Sequence, residues 1–286
     1  MVEWVGLVLA AGYFFEYADF HMIISSIDTH CHVQFPQFDT DRPEVLARAR
    51  EAGIGMVAIG TDIQTSRLAC ELAQDANDVW ATVGLHPNDN LDEVFNIDEY
   101  RVLAQRQSVV AIGEIGLDYF RTTDASAIAT QRERFEEQLQ LASELALPVV
   151  LHCRDSAKQA LEKSRAHEDM LSILRSHKMS RGIIHSFTGT SGHAKAYIEE
   201  GFFVGLNGII TFVPEYHEMV RSLPFERIVT ETDAPYLTPD PKRGKKNEPL
   251  YMLYTIETLS KLHNIHVEQA KSILLENAKK ALSIKI

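Results

Sequence analysis

Two histidines at alternate positions close the run IDTHCHV: His30 and His32. Residues two apart on a strand project from the same face, so the pair could grip one metal ion. It could also be two packed histidines in a turn, and an H-x-H spacing does not separate these readings. Further donors stand where apolar runs end: His86 in GLHPND, Glu114 in AIGEIG, His152 in LPVVLHC, His185 in RGIIHSF and Asp233 in RIVTETD. Imidazole and carboxylate suit divalent transition metals, and magnesium or manganese where carboxylate and water dominate. A carboxylate that follows apolar strand residues needs a cation to offset its desolvation, which singles out Glu114 and Asp233. His86 precedes a proline and reads either as a turn histidine or as a functional one.

These residues need elements to bring them together. Apolar runs occur at 23–28, 54–60, 79–85, 108–116, 147–153, 181–187, 201–208 and 227–233. They are apolar throughout rather than alternating, as expected for parallel strands buried on both faces. Helical patterns such as PEVLARAREA, TQRERFEEQLQLASELA and GHAKAYIEE lie between them, and LYMLYTIETLSKLHN and HVEQAKSILLENAKKAL follow the last. Eight strand-helix alternations predict an α/β fold, a (β/α)8 TIM barrel. An open doubly wound sheet is the alternative, weakened because no glycine-rich phosphate fingerprint follows the first run. In a barrel the C-terminal strand ends carry the chemistry, so five histidines and two acids would converge on one rim.

Composition bounds the function. The chain has 286 residues, 45% hydrophobic and 24% charged, with a net charge of -12. Such a balance argues against a long duplex-binding face but not against a nuclease that holds a strand end with metals and a few local cations. Three scattered cysteines, Cys31, Cys70 and Cys153, form no CxxC pair and suit a reducing, cytoplasmic setting. The stretch MVEWVGLVLAAGYFF is too short to span a bilayer and lacks a basic leader. Residues 1–21 read as an N-terminal extension or start-site artefact, with the barrel occupying 22–286.

The ordered phrases IDTHCHV, GLHP, AIGEIGLDY, LPVVLHCRD, IHSFTG and ETDAPYL, followed by PKRGKKNEP, resemble the TatD family of metal-dependent deoxyribonucleases, within the amidohydrolase superfamily. The resemblance runs from about Ile23 to the C-terminus. It implies a TIM barrel holding two divalent metal ions (Mg, Mn or Zn). His30, His32 and Asp233 would hold the first, His152 and His185 the second, and Glu114 would bridge them. It implies hydrolysis of phosphodiesters in nucleic acid, from the 3′ end of single-stranded or frayed DNA. Asp233 is then the candidate to orient the attacking water and take its proton, and His86 a candidate phosphate contact.

The loop PDPKRGKKNEP places Lys242, Arg243, Lys245 and Lys246 after the Asp233 run. Such charge runs are usually solvated surface. Beside a metal site they could position phosphates, so Arg243 and Lys245 are candidate substrate contacts. Arg154 and Asp155 are further candidates, while Asp118 and Tyr119 could line the rim or brace its loop. Two competing functions remain. One is a metal-dependent ester or amide hydrolase, such as an aminoacyl-tRNA deacylase or small cyclic amidohydrolase, since fold does not fix substrate. The other is a non-catalytic metal scaffold, disfavoured because a structural site closes its coordination sphere with fewer ligands. No membrane association and no stable protein partner are expected.

Overall fold

The computed structural model describes residues 23–88, 93–122, 124–155 and 165–286. The proposed extension, 1–21, lies outside them. Eight strands pair in parallel in sequence order: β1 (Ser26–Cys31), β2 (Ile54–Ile59), β3 (Val79–Val83), β4 (Val109–Asp118), β5 (Val149–Arg154), β6 (Gly182–Ile184), β7 (Phe203–Leu206) and β8 (Ile228–Thr230). The α-helices among the described residues are α1 (Arg42–Glu51), α2 (Ile63–Ala73), α3 (Ile97–Ala104), α4 (Ala125–Glu144), α5 (Ala166–Ser176), α6 (Ser191–Glu199), α7 (His217–Ser222), α8 (Met252–His263) and α9 (Val267–Leu282). This is the (β/α)8 barrel the alternation predicts.

Local chemistry starts and stops the helices. Pro43 sits in the first turn of α1, where its missing N–H is not needed. Asp62 and Thr65 form a reciprocal capping box on α2. Asn264 ends α8 in the left-handed conformation that asparagine tolerates. Inward residues from successive strands, among them Ile27, Val57, Val150, Ile183 and Val229, form an apolar core against Ala278, Ala281 and Leu282 of α9. A second, larger core lies mainly between strands and helices and takes in Cys31, Cys70 and Cys153.

Several strand limits differ from the sequence expectation. β1 begins at Ser26 rather than Ile23, because its ladder with β2 starts where Ser26 meets Ile54. It runs on through His30 to Cys31, so His30 lies within the strand. β4 continues past Glu114 to Asp118, and β5 past His152 to Arg154, since Gly116 pairs with His152 and Asp118 with Arg154. β8 stops at Thr230, three residues before Asp233. The seam between β1 and the segment after β8 is closed by single hydrogen bonds. His32 N donates to Ala234 O (2.8 Å) and Asp233 N to His30 O (2.9 Å), and Thr29 Oγ1 donates to Thr230 O (3.1 Å).

Candidate metal centre

The seam that closes the barrel also assembles the first group of donors. His30 at the end of β1 and His32 just beyond it turn to the same side, their Nε2 atoms 3.3 Å apart. Asp233 is held between them by its backbone bond to His30. Its Oδ1 lies 3.4 Å from His32 Nε2 and 3.8 Å from His30 Nε2. Asp233 takes a positive φ of 56°, a left-handed conformation uncommon outside glycine and asparagine-like residues, which aims its carboxylate back into the barrel mouth.

Glu114 stands at the centre of the site. The β4–β5 register shifts between Ile112 and Ile115, and Glu114 N donates to Gly60 O (2.8 Å). Its Oε2 lies 3.4 Å from His30 Nε2. Its Oε1 lies 2.9 Å from His152 Nδ1, 3.4 Å from His185 Nε2 and 3.6 Å from His86 Nε2. One carboxylate therefore turns one oxygen to the seam group and the other to three imidazoles. His30 and His185 stack with ring centroids 3.5 Å apart.

Two further acids orient these imidazoles: Glu231, which the sequence does not single out, and Asp118, which it offers as a brace for the rim loop. Glu231 Oε1 lies 3.0 Å from His185 Nδ1 and accepts the Ser186 N–H at 2.6 Å. That contact turns His185 Nε2 toward Glu114. Gly205 makes room for it: a Cβ there would come within 2.5 Å of Glu231 Oε2. Glu231 precedes Asp233 by two residues in ETD, a parity that could have flagged it. Asp118 Oδ2 lies 3.2 Å from His152 Nε2, while its Oδ1 accepts the N–H groups of Phe120 and Arg121. Asp118 thus braces the rim loop and His152 together. Asp28 accepts from His30 N and from Thr232 N and Oγ1.

Electrostatics sharpen the picture. Burial works against ionising Glu114, yet His185, His86, His30 and His152 outweigh it and hold its carboxyl well below the usual range. Burial is likewise overcome at Asp233 by His32, His185 and His30, which lower its value, and at Asp118, held at about 2 by His152 and backbone donors. His185 is pushed up to about 10: burial opposes its proton, but Glu231 and Glu114 favour it more. Asp28, by contrast, is raised to about 8 by burial. Anionic Glu114 and Asp233 facing imidazoles describe a pocket that favours a cation.

The donors fit a divalent metal. Ligands about 2.1 Å from one ion lie roughly 3.0–3.4 Å from each other in octahedral or tetrahedral geometry. The separations of 3.3 and 3.4 Å from His32 to His30 and Asp233, and of 2.9 and 3.4 Å from Glu114 to His152 and His185, lie near that spacing, while Asp233 stands 3.8 Å from His30. Among the described residues, four groups of three donors approach closely enough to share an ion: His30, His32 and Asp233; His30, His185 and Glu231; His86, Glu114 and His152; and Asp155, His167 and His193, so that His152 and His185 fall in different groups.

The centre opens into a cavity of about 740 Å³ whose lining includes His152, His185, Asp233, Arg121, Arg154 and Asp155. His86 is buried beside it, its Nδ1 accepting from Asn88 N (3.1 Å) and its ring 4.5 Å from that of His152. Arg243 and Lys245 are not among the lining residues. Arg243 lies over the Phe212 ring at 3.8 Å and donates to Thr238 O, while Lys245 is exposed. Lys246 pairs with Asp41 at 2.5 Å. Arg243 and Lys246 pack on a neighbouring ring, carbonyls and an acid, and among the described residues the arginines that line the cavity are Arg121 and Arg154.

A TIM barrel whose strand ends gather imidazoles and carboxylates around one pocket has the build of a metal-dependent barrel hydrolase. Residues 27–283 match the family model described as TatD related DNase, and the chain belongs to the TatD family. It is 36% identical over 263 residues to YabD of Bacillus subtilis, a metal-dependent hydrolase, covering 90% of this chain and 98% of that protein. It is 37% identical over 247 residues to the 3′-5′ ssDNA/RNA exonuclease TatD of Cronobacter sakazakii, covering 82% and 88% of the two chains. The crystal structure of the TatD homologue YJJV from Escherichia coli K12 superposes with a TM-score of 0.82 at 28% identity, covering 92% of this chain and all of that one.

Proposed function

We propose that this chain hydrolyses phosphodiester bonds at the ends of single-stranded nucleic acid with two divalent cations. His30, His32 and Asp233 would hold one, His152 and His185 the other, with Glu114 between them. The observation that carries the reading is the placement of Glu114, one oxygen toward His30 and the other toward His152 and His185. The relative named as a 3′-5′ ssDNA/RNA exonuclease supports the substrate class.

Divalent ions bound there would polarise a phosphoryl group and acidify a water. The protein's own groups do the rest. Asp233 lines the cavity, and its lowered carboxyl value keeps it ionised at neutral pH, so it can orient a water and accept its proton. Glu231 and Asp118 hold His185 and His152 in fixed orientations, so the donors need not reorganise when substrate arrives. Arg121 and Arg154 supply cavity cations for phosphates of the strand, a use that a small cyclic amide would not have. No helix of the described residues is long and apolar enough to cross a membrane.

The test is direct. Purified protein is incubated with end-labelled single-stranded DNA and RNA under Mg²⁺, Mn²⁺ or Zn²⁺, and products are resolved by length. Stepwise shortening from the 3′ end that stops on chelation is expected. No cleavage of either strand, with turnover of a small ester or amide, would overturn the nuclease reading.

A further inference from the structure

The nuclease reading leaves open how a strand end is held without a base-specific groove. Among the described residues, the aromatic side chains with the greatest exposure are Phe120 (43%) and Tyr236 (48%). Both line the cavity that contains His152, His185 and Asp233. The other aromatic rings among the described residues are buried or half-buried, because exposing that much apolar area is unfavourable. Two exposed rings lining one cavity are therefore an arrangement that burial alone does not explain.

Each ring is tied to the reactive centre. Phe120 N and Arg121 N both donate to Asp118 Oδ1, while Asp118 Oδ2 lies against His152 Nε2. Tyr119 N donates to Arg154 O (2.9 Å), joining the same loop to β5. Arg154, exposed, places its guanidinium over the Phe120 ring at 4.0 Å from the centroid. On the other side of the site, Tyr236 N donates to Asp233 O (2.9 Å), and its hydroxyl accepts weakly from Gln37 Nε2 (3.5 Å). Tyr216, half-buried, also contributes to the cavity wall.

We propose that the Phe120–Arg154 stack and the Tyr236 ring form a stacking subsite for the last bases of a single strand, with Arg121 and Arg154 taking the neighbouring phosphates. Every base has a π-face, so stacking accepts all four bases while rejecting a base that is still paired within a duplex. Guanidinium planes stack on bases as well as on aromatic rings, so Arg154 can extend the platform. Selection for a single strand then comes from the rim of the cavity, and the metal centre carries no sequence preference. This inference rests on the nuclease reading for its substrate.

The test compares Phe120→Ala, Tyr236→Ala and the double variant with wild type on two substrates, a single-stranded oligonucleotide and the same oligonucleotide with its last three nucleotides abasic, which keeps the phosphates but has no ring to stack. Loss of stacking is expected to act through KM for the strand. The loss on the intact oligonucleotide should exceed that on the abasic one by about 5- to 140-fold per ring, the factor that about 1–3 kcal/mol of base stacking represents. Phe120→Trp should restore strand affinity, and Phe120→Leu, of similar bulk without a π-face, should not. A phosphorothioate oligonucleotide ending in 2-aminopurine gives a readout independent of turnover: its fluorescence should be quenched by wild type and recover in Phe120→Ala. Equal losses on both substrates, or rescue by Phe120→Leu, would overturn the stacking subsite and leave the nuclease reading standing. Wild type that cleaves no strand would overturn the nuclease reading, and 2-aminopurine quenching would still report whether the rings stack a base.

Discussion

At the scale of single residues, Glu114 and Glu231 do different work with the same functional group. Glu114 joins two donor groups through its two oxygens. Glu114→Gln keeps the size but removes the charge that would hold the two proposed cations together. Activity should be lost, along with at least one bound metal, while the melting temperature changes little. Elemental analysis beside a kinetic assay checks this, and full metal occupancy with wild-type turnover would defeat the two-metal proposal. Glu231 acts on His185 from the far side, and Gly205 leaves space for it. Glu231→Gln should lower activity or metal affinity by about 10–100-fold, as loss of a partner behind a ligating histidine commonly does. Gly205→Ala should reach a similar deficit by displacing Glu231. Metal titration by calorimetry separates a weakened site from a misfolded barrel.

At the scale of elements, the strand ends hold the donors and the loops decide what reaches them. β4 runs beyond Glu114 to Asp118, so the loop that follows is anchored to β5 at Arg154 rather than starting at the metal centre. The loop after β8 behaves differently. Arg243 lies on Phe212, and Lys246 reaches Asp41 and Gln37 O. Changing Arg243, Lys245 and Lys246 together to Ala should therefore leave the salt dependence of strand cleavage close to wild type, because few phosphate contacts would be removed. Its effect should fall on stability. The half-exposed Lys246–Asp41 pair contributes at most about 1 kcal/mol, visible as a melting-temperature drop of a few degrees. A much flatter salt dependence would return the loop to the substrate path.

At the scale of the whole molecule, the buried thiols and the chain's N-terminal stretch can each be tested. Cys31, Cys70 and Cys153 are free and buried. Burial pushes Cys70 from its ordinary 9.0 up to about 11, and it raises Cys31 and Cys153 well above their ordinary value. Native protein at pH 8 should react negligibly with Ellman's reagent, and denatured protein should titrate all three thiols. The sign of the linkage follows. The stability that Cys70 contributes as a neutral thiol is complete below pH 9 and is lost as pH rises from 9 toward 11, because only the unfolded chain ionises freely there. Denaturant midpoints measured from pH 8 to 11 should fall across that window. Deleting residues 1–21 should leave expression, melting temperature and activity nearly unchanged, and an insoluble truncation would show that they belong to the barrel.

Much of this was readable without coordinates, for a physical reason. Parallel strands buried on both faces must be apolar along their length, so eight such runs separated by helical patterns specify the barrel locally. A polar donor that interrupts or ends one of those runs is costly, so His30, His152, His185, Glu114 and Asp233 stood out by type and place. What the sequence could not express was distance between segments. The His185–Glu231 contact spans 46 residues and the His152–Asp118 contact 34. The seam that joins His30 to Asp233 exists only because β8 returns beside β1. Strand limits depended on where each ladder found its partner, as at Ser26 and Ile54. A run of lysine and arginine likewise has no direction in sequence. Only the tertiary structure decided that Arg243 turns to Phe212 while Arg154 turns to the cavity, because side-chain neighbours are set by closure of the barrel and not by order along the chain.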